Sequence, residues 1–253
     1  MKQSEVNSIA KLHSYLEYRQ NHSGRIYHYT NLSNLIKIIK SGKLFLNNIK
    51  NVNDAMESAS AYKDNMYVAS FTYQEKEAVH YWSVYGKGDP YSIRLSFDTQ
   101  SICLNKQCYY SLDGTVIPSL KCSKMSDVIY YNKRSTSSKD KRCWKHNGQY
   151  FSLYNDEDSI RQQFPGLCKY DVWEHEKETR LLVISDIDEG GILLDLPQEF
   201  FESASVVFSP WIEEEIRVEF SELLTSLIQK NYSILKSRNF MRKSSIHNQI
   251  RIK

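Results

Sequence analysis

The stretch that most limits how this chain can fold is a short strand followed at once by a helix, residues 25–42. Arg25–Thr30 is predicted to be the strand, and Thr30 is placed to cap the helix that follows. That helix is predicted from apolar residues at helical spacing: Leu32, Leu35, Ile36 and Ile39. Gly42 stands where a helix-terminating glycine belongs. His28 lies near the strand end, beside free helix N–H groups, and is therefore placed to bind the hydroxyls of a ribose or a phosphate.

The remaining sequence mixes short strands with helices and shows neither an internal repeat nor a clear linker. Strands are predicted at 43–46, 66–71, 91–97, 128–131, 179–185 and 204–208. Helices are predicted at 5–20, 75–85, 156–164 and 212–229, and a further helix start is predicted at 53–57 with Asn53 or Asp54 as its cap. This order of elements predicts an α+β fold in a single domain, 1–253, with a basic C-terminal segment, 230–253.

Composition excludes several classes of protein. The 253 residues include 18 tyrosines but few glycines and prolines, which is not typical of disordered or low-complexity chains. The chain has no apolar run of about 18 residues, so no membrane span is expected, and its first residues lack the apolar core of a signal peptide. The five cysteines include no Cys-x-x-Cys pair, so we expect no zinc site and reduced thiols in the cytoplasm.

The net charge of +3 hides two basic stretches, one at 121–145 and one at 230–253. The second stretch carries seven basic residues and no acidic one. Such stretches either contact nucleic-acid phosphates or form a solvated loop and a solvated tail. The sequence leaves both interpretations open.

A second candidate for chemistry is the charged segment Trp173–Arg180, which runs into apolar residues. If this segment is a strand, then Glu176, Glu178 and Arg180 share one face. Two carboxylates and a guanidinium entering a buried sheet are costly unless they are paired or used. One interpretation is a structural Glu–Arg ion pair. The other is a carboxylate that binds a sugar hydroxyl and stabilises a positively charged, sugar-like transition state.

Several other kinds of site have little support in the sequence. The chain contains no His-x-x-x-His pattern, and no Asp-x-Asp pair in it extends into a known metal-binding loop. Its nine glycines are scattered, so no glycine-rich phosphate loop is present. No Gly-x-Ser-x-Gly motif marks a nucleophilic serine. We therefore expect no metal cofactor.

Four blocks of the sequence, taken in order, resemble the bacterial family catalogued as domain of unknown function 2971. The first block is Tyr27–Thr30 with the helix after it and the strand start at Gly42, and the second is Asn53–Glu57. The third contains Ser70-Phe71, then Trp82–Tyr85, then Ser96–Asp98, and the fourth contains Lys169, Trp173, Glu176, Glu178 and Arg180. The chain departs from the pattern at Val52, where an aromatic residue is usual, and at Ser70, where cysteine is common.

That family in turn is similar to the ADP-ribosyltransferase superfamily, which includes the DNA-modifying DarT toxins. The resemblance implies an ADP-ribosyltransferase-like fold with a split, mainly antiparallel sheet and flanking helices. It also implies NAD as substrate, with His28 on the ribose, Thr30 toward the adenosine side and Tyr29 among the NAD-binding residues. Tyr81, Trp82 and Tyr85 would form a wall beside the nicotinamide, and the same aromatic spacing equally predicts core packing.

By the same resemblance, Glu178 or Glu176 is the catalytic carboxylate. We favour Glu178 because it lies deeper in the predicted strand, and we expect Glu176 to orient the acceptor or pair with a cation. His28 and Glu178 are expected on adjacent strands that line one cleft.

The leading hypothesis is a bacterial ADP-ribosyltransferase of the toxin, toxin–antitoxin or antiviral-defence type. Its acceptor would be RNA, single-stranded DNA or a protein. An enzyme of this type could also have an antitoxin partner. One alternative is a non-catalytic module that binds a nucleotide or nucleic acid. Another is an RNA-processing nuclease with His28 as general acid–base. No contact with a membrane is expected.

Overall fold

The structure is a computed structural model, and it describes residues 2, 5–18, 24–52, 65–86, 89–102, 107–131, 144–151, 157–234 and 241–246. The chain divides into two compact units, each assembled from separate stretches. Unit 1 takes its described residues from Met1–Ser23, Phe45–Thr72 and Leu104–Leu194. Unit 2 takes them from Gly24–Leu44, Tyr73–Cys103 and Asp195–Lys253.

The helices and strands have the following bounds. The helices are α1 (Ile9–Leu16), α2 (Leu32–Ser41), α3 (Val79–Val84), α4 (Glu157–Gln163), α5 (Gln198–Ser203) and α6 (Glu214–Tyr232). The strands are β1 (Arg25–Asn31), β2 (Lys43–Asn48), β3 (Met66–Thr72), β4 (Ser92–Asp98), β5 (Tyr109–Tyr110), β6 (Cys122–Asp127), β7 (Ile129–Tyr131), β8 (Trp144–His146), β9 (Gln149–Tyr150), β10 (Cys168–Tyr170), β11 (Glu178–Ile184), β12 (Gly191–Asp195), β13 (Ser205–Phe208) and β14 (Met241–Lys243). A 3-10 segment, Asp171–Glu176, precedes β11.

Unit 1 is organised around β11, which is buried along its whole length. It pairs antiparallel with β3 on one side and with β6 on the other. β2 pairs antiparallel with β3, and β12 pairs antiparallel with β5. In a second small sheet, β7 lies parallel to β10 and antiparallel to β8, which continues antiparallel into β9. α1 closes the core through Leu12 and Leu16, both fully buried.

Unit 2 contains a sheet in the order β1, β4, β13, β14. β1 with β4 and β4 with β13 are antiparallel, whereas β13 and β14 are parallel. α2 and α6 are linked by Tyr232, whose hydroxyl donates to the Ile39 carbonyl at 2.8 Å. α5 packs against β4 through Phe200 and Phe97, with ring centroids 4.6 Å apart.

These elements confirm the predicted α+β class, with mainly antiparallel sheets and flanking helices. The helix after β1 was predicted with the wrong cap, because Asn31 and not Thr30 is its N-cap residue. The Asn31 side chain accepts from the Asn34 N–H at 2.8 Å. The predicted glycine stop is confirmed, since Gly42 ends α2 in the left-handed conformation with φ 69°.

Several predictions are not tested by this description. The helix start at 53–57, with Asn53, Asp54 and Glu57, lies outside the described residues, as does about half of each basic stretch, 121–145 and 230–253. The single-domain assignment also stays a prediction. No helix among the residues that the structure describes is long and apolar enough to cross a membrane.

Candidate functional site

Four charged side chains of unit 1 meet at the start of β11. The Lys169 ammonium donates to Glu176 Oε2 at 2.6 Å and to Glu178 Oε2 at 3.2 Å. Arg180 Nε donates to Glu178 Oε1 at 2.6 Å, and its Nη2 donates to Oε2 at 3.0 Å. We call Lys169, Glu176, Glu178 and Arg180 the charged cluster. Its two carboxylates and two cations balance, which is the condition under which buried charge is tolerated.

The backbone of neighbouring elements holds this cluster in place. Arg180 Nη1 donates to the Gly166 carbonyl at 2.6 Å, at the turn that follows α4. The Glu178 N–H donates to the Tyr130 hydroxyl at 2.9 Å, which ties the first residue of β11 to β7. Lys169 also lies 4.9 Å from the centre of the Trp173 ring. The cluster therefore draws on four sequence segments and depends on the folding of unit 1.

Glu178 is held in its ionised form. Burial by itself raises the pKa of this carboxyl, but Arg180 and then Lys169 lower it more, and hydrogen bonds from Arg180 and Ser70 add to them. The net result is a pKa well below the ordinary value. The carboxylate accepts from Arg180 twice and from Lys169 and Ser70 once each. About four acceptor positions are available on a carboxylate, so those of Glu178 are occupied.

The structure corrects the predicted position of Glu176. This residue ends the 3-10 segment and is not part of β11, and Lys177 between the two glutamates is in the left-handed conformation with φ 42°. The predicted common strand face therefore holds only for Glu178 and Arg180. Depth does not distinguish the two glutamates either, because each is 4% exposed.

His28 and Tyr29 lie on β1 of unit 2, on opposite faces of the sheet. His28 pairs across the strands with Leu95, and Tyr29 pairs with Arg94. Because successive strand residues alternate between faces, His28 and Thr30 share the face opposite Tyr29. Thr30 accepts from the Asn34 side chain at 3.2 Å, at the beginning of α2. The predicted NAD-binding residues of β1 are thus divided between two faces.

Two of the three aromatic residues predicted to form a wall beside the nicotinamide, Tyr81 and Trp82, are buried in the hydrophobic core. Tyr81 stacks on Tyr29 with ring centroids 5.1 Å apart, and Trp82 meets Tyr29 edge-on at 4.9 Å. Tyr81 is 2% exposed and Trp82 is fully buried. Tyr85 is 39% exposed, with its ring 6.1 Å from that of Tyr81. Of the three predicted wall residues, Tyr85 is the one that offers a ring to solvent.

Sequence reasoning did not single out Arg94 of unit 2. Arg94 occupies the middle of β4 between Ile93 and Leu95 and is 5% exposed. The sequence signal that could have identified it is a charged residue between apolar residues of a strand, because charged side chains are rarely buried unless they are paired. Within the described residues, no group of three or more His, Cys, Asp or Glu side chains is arranged to hold a metal ion.

Comparison with known proteins gives limited similarity. No family model and no curated protein matches the chain, so the resemblance to the domain of unknown function 2971 stays a prediction. The structure is similar to Thermus sp. 2.9 DarT in complex with NAD+, at 13% identity over 88% of this chain and 96% of that chain, with a TM-score of 0.37. For the same DarT in complex with carba-NAD+ the values are 12% identity, 87% and 94% coverage, and a TM-score of 0.34. A likeness with such TM-scores carries no argument about function.

Proposed function

We propose that this chain is an NAD-dependent ADP-ribosyltransferase of the toxin or phage-defence type. The observation that supports the proposal is the charged cluster, in which two buried carboxylates share the Lys169 ammonium at 2.6 and 3.2 Å. Arg180 keeps Glu178 ionised from the other side. Once Lys169 is released from Glu178 and kept by Glu176, the Glu178 carboxylate can stabilise a positively charged sugar.

The proposed reaction develops a positive charge on the ribose, which a carboxylate can stabilise. The bond between the ribose C1′ and the nicotinamide nitrogen breaks, and its electron pair leaves with nicotinamide as a neutral ring. Positive charge then develops on the ribose, as in glycoside cleavage. A nucleophilic oxygen or nitrogen of the acceptor attacks C1′ and loses its proton to solvent water. An ionised carboxylate that accepts the ribose 2′-OH stabilises the intermediate charge without a change in its own protonation.

We assign this carboxylate to Glu178 and the orientation of the acceptor to Glu176. Because the acceptor positions of Glu178 are occupied, the ribose hydroxyl must replace one of its donors. Lys169 lies 3.2 Å from Glu178 but only 2.6 Å from Glu176, and it keeps the shorter contact when it releases Glu178. Lys169 is therefore the donor that gives way.

The roles proposed in unit 2 concern NAD binding. His28 hydrogen-bonds the ribose, and Thr30, on the same face of β1, is placed toward the adenosine side. Tyr29, on the opposite face, stacks on Tyr81 and supports the site from the core. Tyr81 and Trp82 support the site from the core, and the exposed Tyr85 contacts the nicotinamide.

The test is to incubate the full chain with NAD and measure nicotinamide release by chromatography, with RNA, single-stranded DNA and protein as acceptors. Mass spectrometry of the acceptors then identifies any added ADP-ribose. We expect release that depends on Glu178. If the folded protein binds NAD without releasing nicotinamide, it is a binding module. If it cleaves RNA in the absence of NAD, it is a nuclease.

A further inference from the structure

The helix that carries the proposed nicotinamide wall is too short to hold its own position. α3 has six residues, and its N-cap residue is Ala78, whose methyl group cannot accept a hydrogen bond from the first helical N–H groups. Isolated helices shorter than about 12–15 residues are marginal in water. The orientation of Tyr81, Trp82 and Tyr85 therefore depends on contacts that α3 makes with other parts of unit 2.

Glu77 connects α3 to a segment near the end of the chain. Its Oε2 accepts from Trp82 Nε1 at 3.3 Å and from the hydroxyl of Ser244, 167 residues later, at 2.6 Å. Its Oε1 accepts from the Ser245 N–H at 2.8 Å. We call Met241–Ile246 the C-terminal strap. A single carboxylate therefore joins the indole of α3 to the strap.

The strap is fixed at its other end by β13 and α6. Its first three residues form β14, in which Met241–Lys243 pair in parallel with Val206–Phe208. The Lys243 ammonium also lies 2.6 Å from Glu214 Oε2, at the start of α6, but these side chains are 47% and 50% exposed. An ion pair that exposed contributes little to stability. The strap is thus anchored mainly in the sheet, and Glu77 connects that anchor to α3.

The end of the strap reaches the same aromatic residues. Ile246 packs against the small core formed by Tyr29, Tyr81 and Trp82. The Ile246 N–H donates to the Ser244 hydroxyl at 3.3 Å, which closes a turn between the polar contact and the apolar contact. Both contacts of the strap therefore act on one helix.

The position of Tyr85 follows from that of its neighbours on α3. Its N–H donates to the Tyr81 carbonyl at 3.0 Å, and its ring lies 6.1 Å from the Tyr81 ring. Gly86 packs closely on the same turn, since an added Cβ would lie 2.5 Å from the Trp82 carbonyl oxygen. A shift of Trp82 is therefore passed to Tyr85 through the backbone.

We infer that Glu77 is a positioning residue, which connects the anchored C-terminal strap to α3 and so fixes the ring of Tyr85. The inference rests on the proposed function in one respect, because that function assigns the nicotinamide to Tyr85. Glu77 acts through Trp82 and does not itself contact NAD. Loss of its contacts lets α3 adopt other orientations, so NAD binds more weakly while the chemistry at Glu178 keeps its rate.

The experiment compares two neighbouring serines whose contacts to Glu77 differ. Ser244 donates through its hydroxyl, whereas Ser245 donates through its backbone N–H. Ser244→Ala therefore removes a contact to Glu77 and the turn to Ile246. Ser245→Ala is the matched control, because it removes an exposed hydroxyl and keeps the contact. Glu77→Gln removes the carboxylate itself, with Glu75→Gln as the control at an exposed position two residues earlier.

The first measurement is hydrogen exchange of the full chain without NAD. In Ser244→Ala and Glu77→Gln the amides of α3 should exchange roughly threefold to tenfold faster, because a lost hydrogen bond makes local opening of the helix easier. The amides of α2, in the same unit, should exchange as in the unchanged protein. The two control variants should show no change in either helix.

The second measurement separates binding from chemistry, by NAD titration and by the rate of nicotinamide release. Ser244→Ala and Glu77→Gln should raise the Kd and the KM for NAD roughly threefold to tenfold and leave kcat within about twofold, as expected for a loss of binding alone. The double variant should bind NAD about as weakly as Glu77→Gln, because the two changes remove a shared contact.

Two exchange results would overturn the inference. One is unchanged exchange of α3 in both Ser244→Ala and Glu77→Gln. The other is an equal acceleration in α2, because Glu77 would then stabilise the whole unit. Faster exchange of α3 with unchanged NAD affinity would overturn it as well, since α3 would then position no group that binds NAD.

The outcome is separable from that of the proposed function. If the unchanged protein binds NAD without releasing nicotinamide, the transferase fails, and a loss of NAD affinity in Ser244→Ala still supports the role of the strap. If the unchanged protein binds no NAD, the proposed function fails, and faster exchange confined to α3 still supports Glu77 as the residue that positions this helix.

Discussion

At the scale of single residues, Glu178 has a proposed catalytic role and also balances charge in a buried environment. Its carboxylate balances Arg180 and Lys169 in a buried environment, so any substitution that removes the charge leaves two cations with one carboxylate. Breaking a buried ion pair by removing one partner costs about 3–5 kcal/mol. Loss of activity in a Glu178 variant is therefore informative only when the stability of the variant is known.

The first prediction separates these two effects. Glu178→Gln should reduce transfer by roughly 100-fold or more, because the lost charge acts mainly in the transition state. It should also lower the thermal midpoint, while NAD binding by the folded fraction changes little. Nicotinamide release, unfolding curves and NAD titration measure the three quantities.

The double variant Glu178→Gln/Arg180→Gln is the control for that prediction. It restores the balance of charge with Lys169 and Glu176, so part of the lost stability should return while transfer stays low. Recovery of transfer together with stability would make Glu178 a structural residue. An inactive Glu176→Gln beside an active Glu178→Gln would reverse the two roles.

The second prediction concerns acid pH. The folded pKa of Glu178 lies below its ordinary value of 4.5, so its contribution to stability is complete above that value and is lost as the pH falls through the folded pKa. The thermal midpoint of the unchanged protein should therefore fall from about pH 5 toward pH 3 more steeply than that of Glu178→Gln. Parallel curves would mean that Glu178 is not ionised by Arg180 and Lys169 as described.

At the scale of elements, the turn after α4 determines whether Arg180 is anchored. Gly166 has φ 70°, and an added Cβ would lie 2.5 Å from Met66 Sδ and 2.8 Å from Leu182 Cδ1. The Gly166 carbonyl accepts from Arg180. A side chain here would disturb the core and the charged cluster together.

The third prediction tests this turn against a matched glycine. Gly148 in the β8–β9 turn has φ 77°, and an added Cβ would meet nothing within 4 Å. Gly148→Ala should cost about 1 kcal/mol, from the left-handed conformation alone. Gly166→Ala should cost about 1–3 kcal/mol more, from overpacking. Denaturant unfolding measures both, and equal losses would contradict the close packing at Gly166.

At the scale of the whole molecule, the residues proposed for NAD come from both units. Glu176 and Glu178 belong to unit 1, and His28 belongs to unit 2. The prediction that His28 and Glu178 line one cleft stays a prediction, and binding measurements on His28 variants test the contribution of unit 2.

The fourth prediction is that His28→Ala weakens NAD binding. A hydrogen bond to the ribose exists in the ground state as well as in the transition state, so the substrate affinity should fall along with the rate. The measurement is thermal stabilisation by NAD over a concentration series. Lys37→Gln is the control, since it lies on α2 outside the proposed residues. Unchanged stabilisation in His28→Ala would remove His28 from the site.

The sequence by itself determined much of the local structure. Apolar spacing located α2 and α6, and the glycine at position 42 located the end of α2, because these signals depend on residues a few positions apart. In the second sheet of unit 1, β7 was predicted, but β8, β9 and β10 were missed, as was the 3-10 segment before β11. They are two to six residues long and are stabilised by their neighbours rather than by their own sequence.

Tertiary structure decided which charges meet. The segment Trp173–Arg180 indicated an ion pair or a catalytic carboxylate, but only the packing of β10 against β7 and of β11 against β3 brings Lys169 between the two glutamates. Arg25, Arg94 and Arg242 come together in the same way, because they lie far apart in sequence and share one face of the unit 2 sheet only through strand register. The periodicity of apolar residues predicts which side chains share a face of one helix or strand. The pairing of strands that are distant in sequence determines which residues that face contacts.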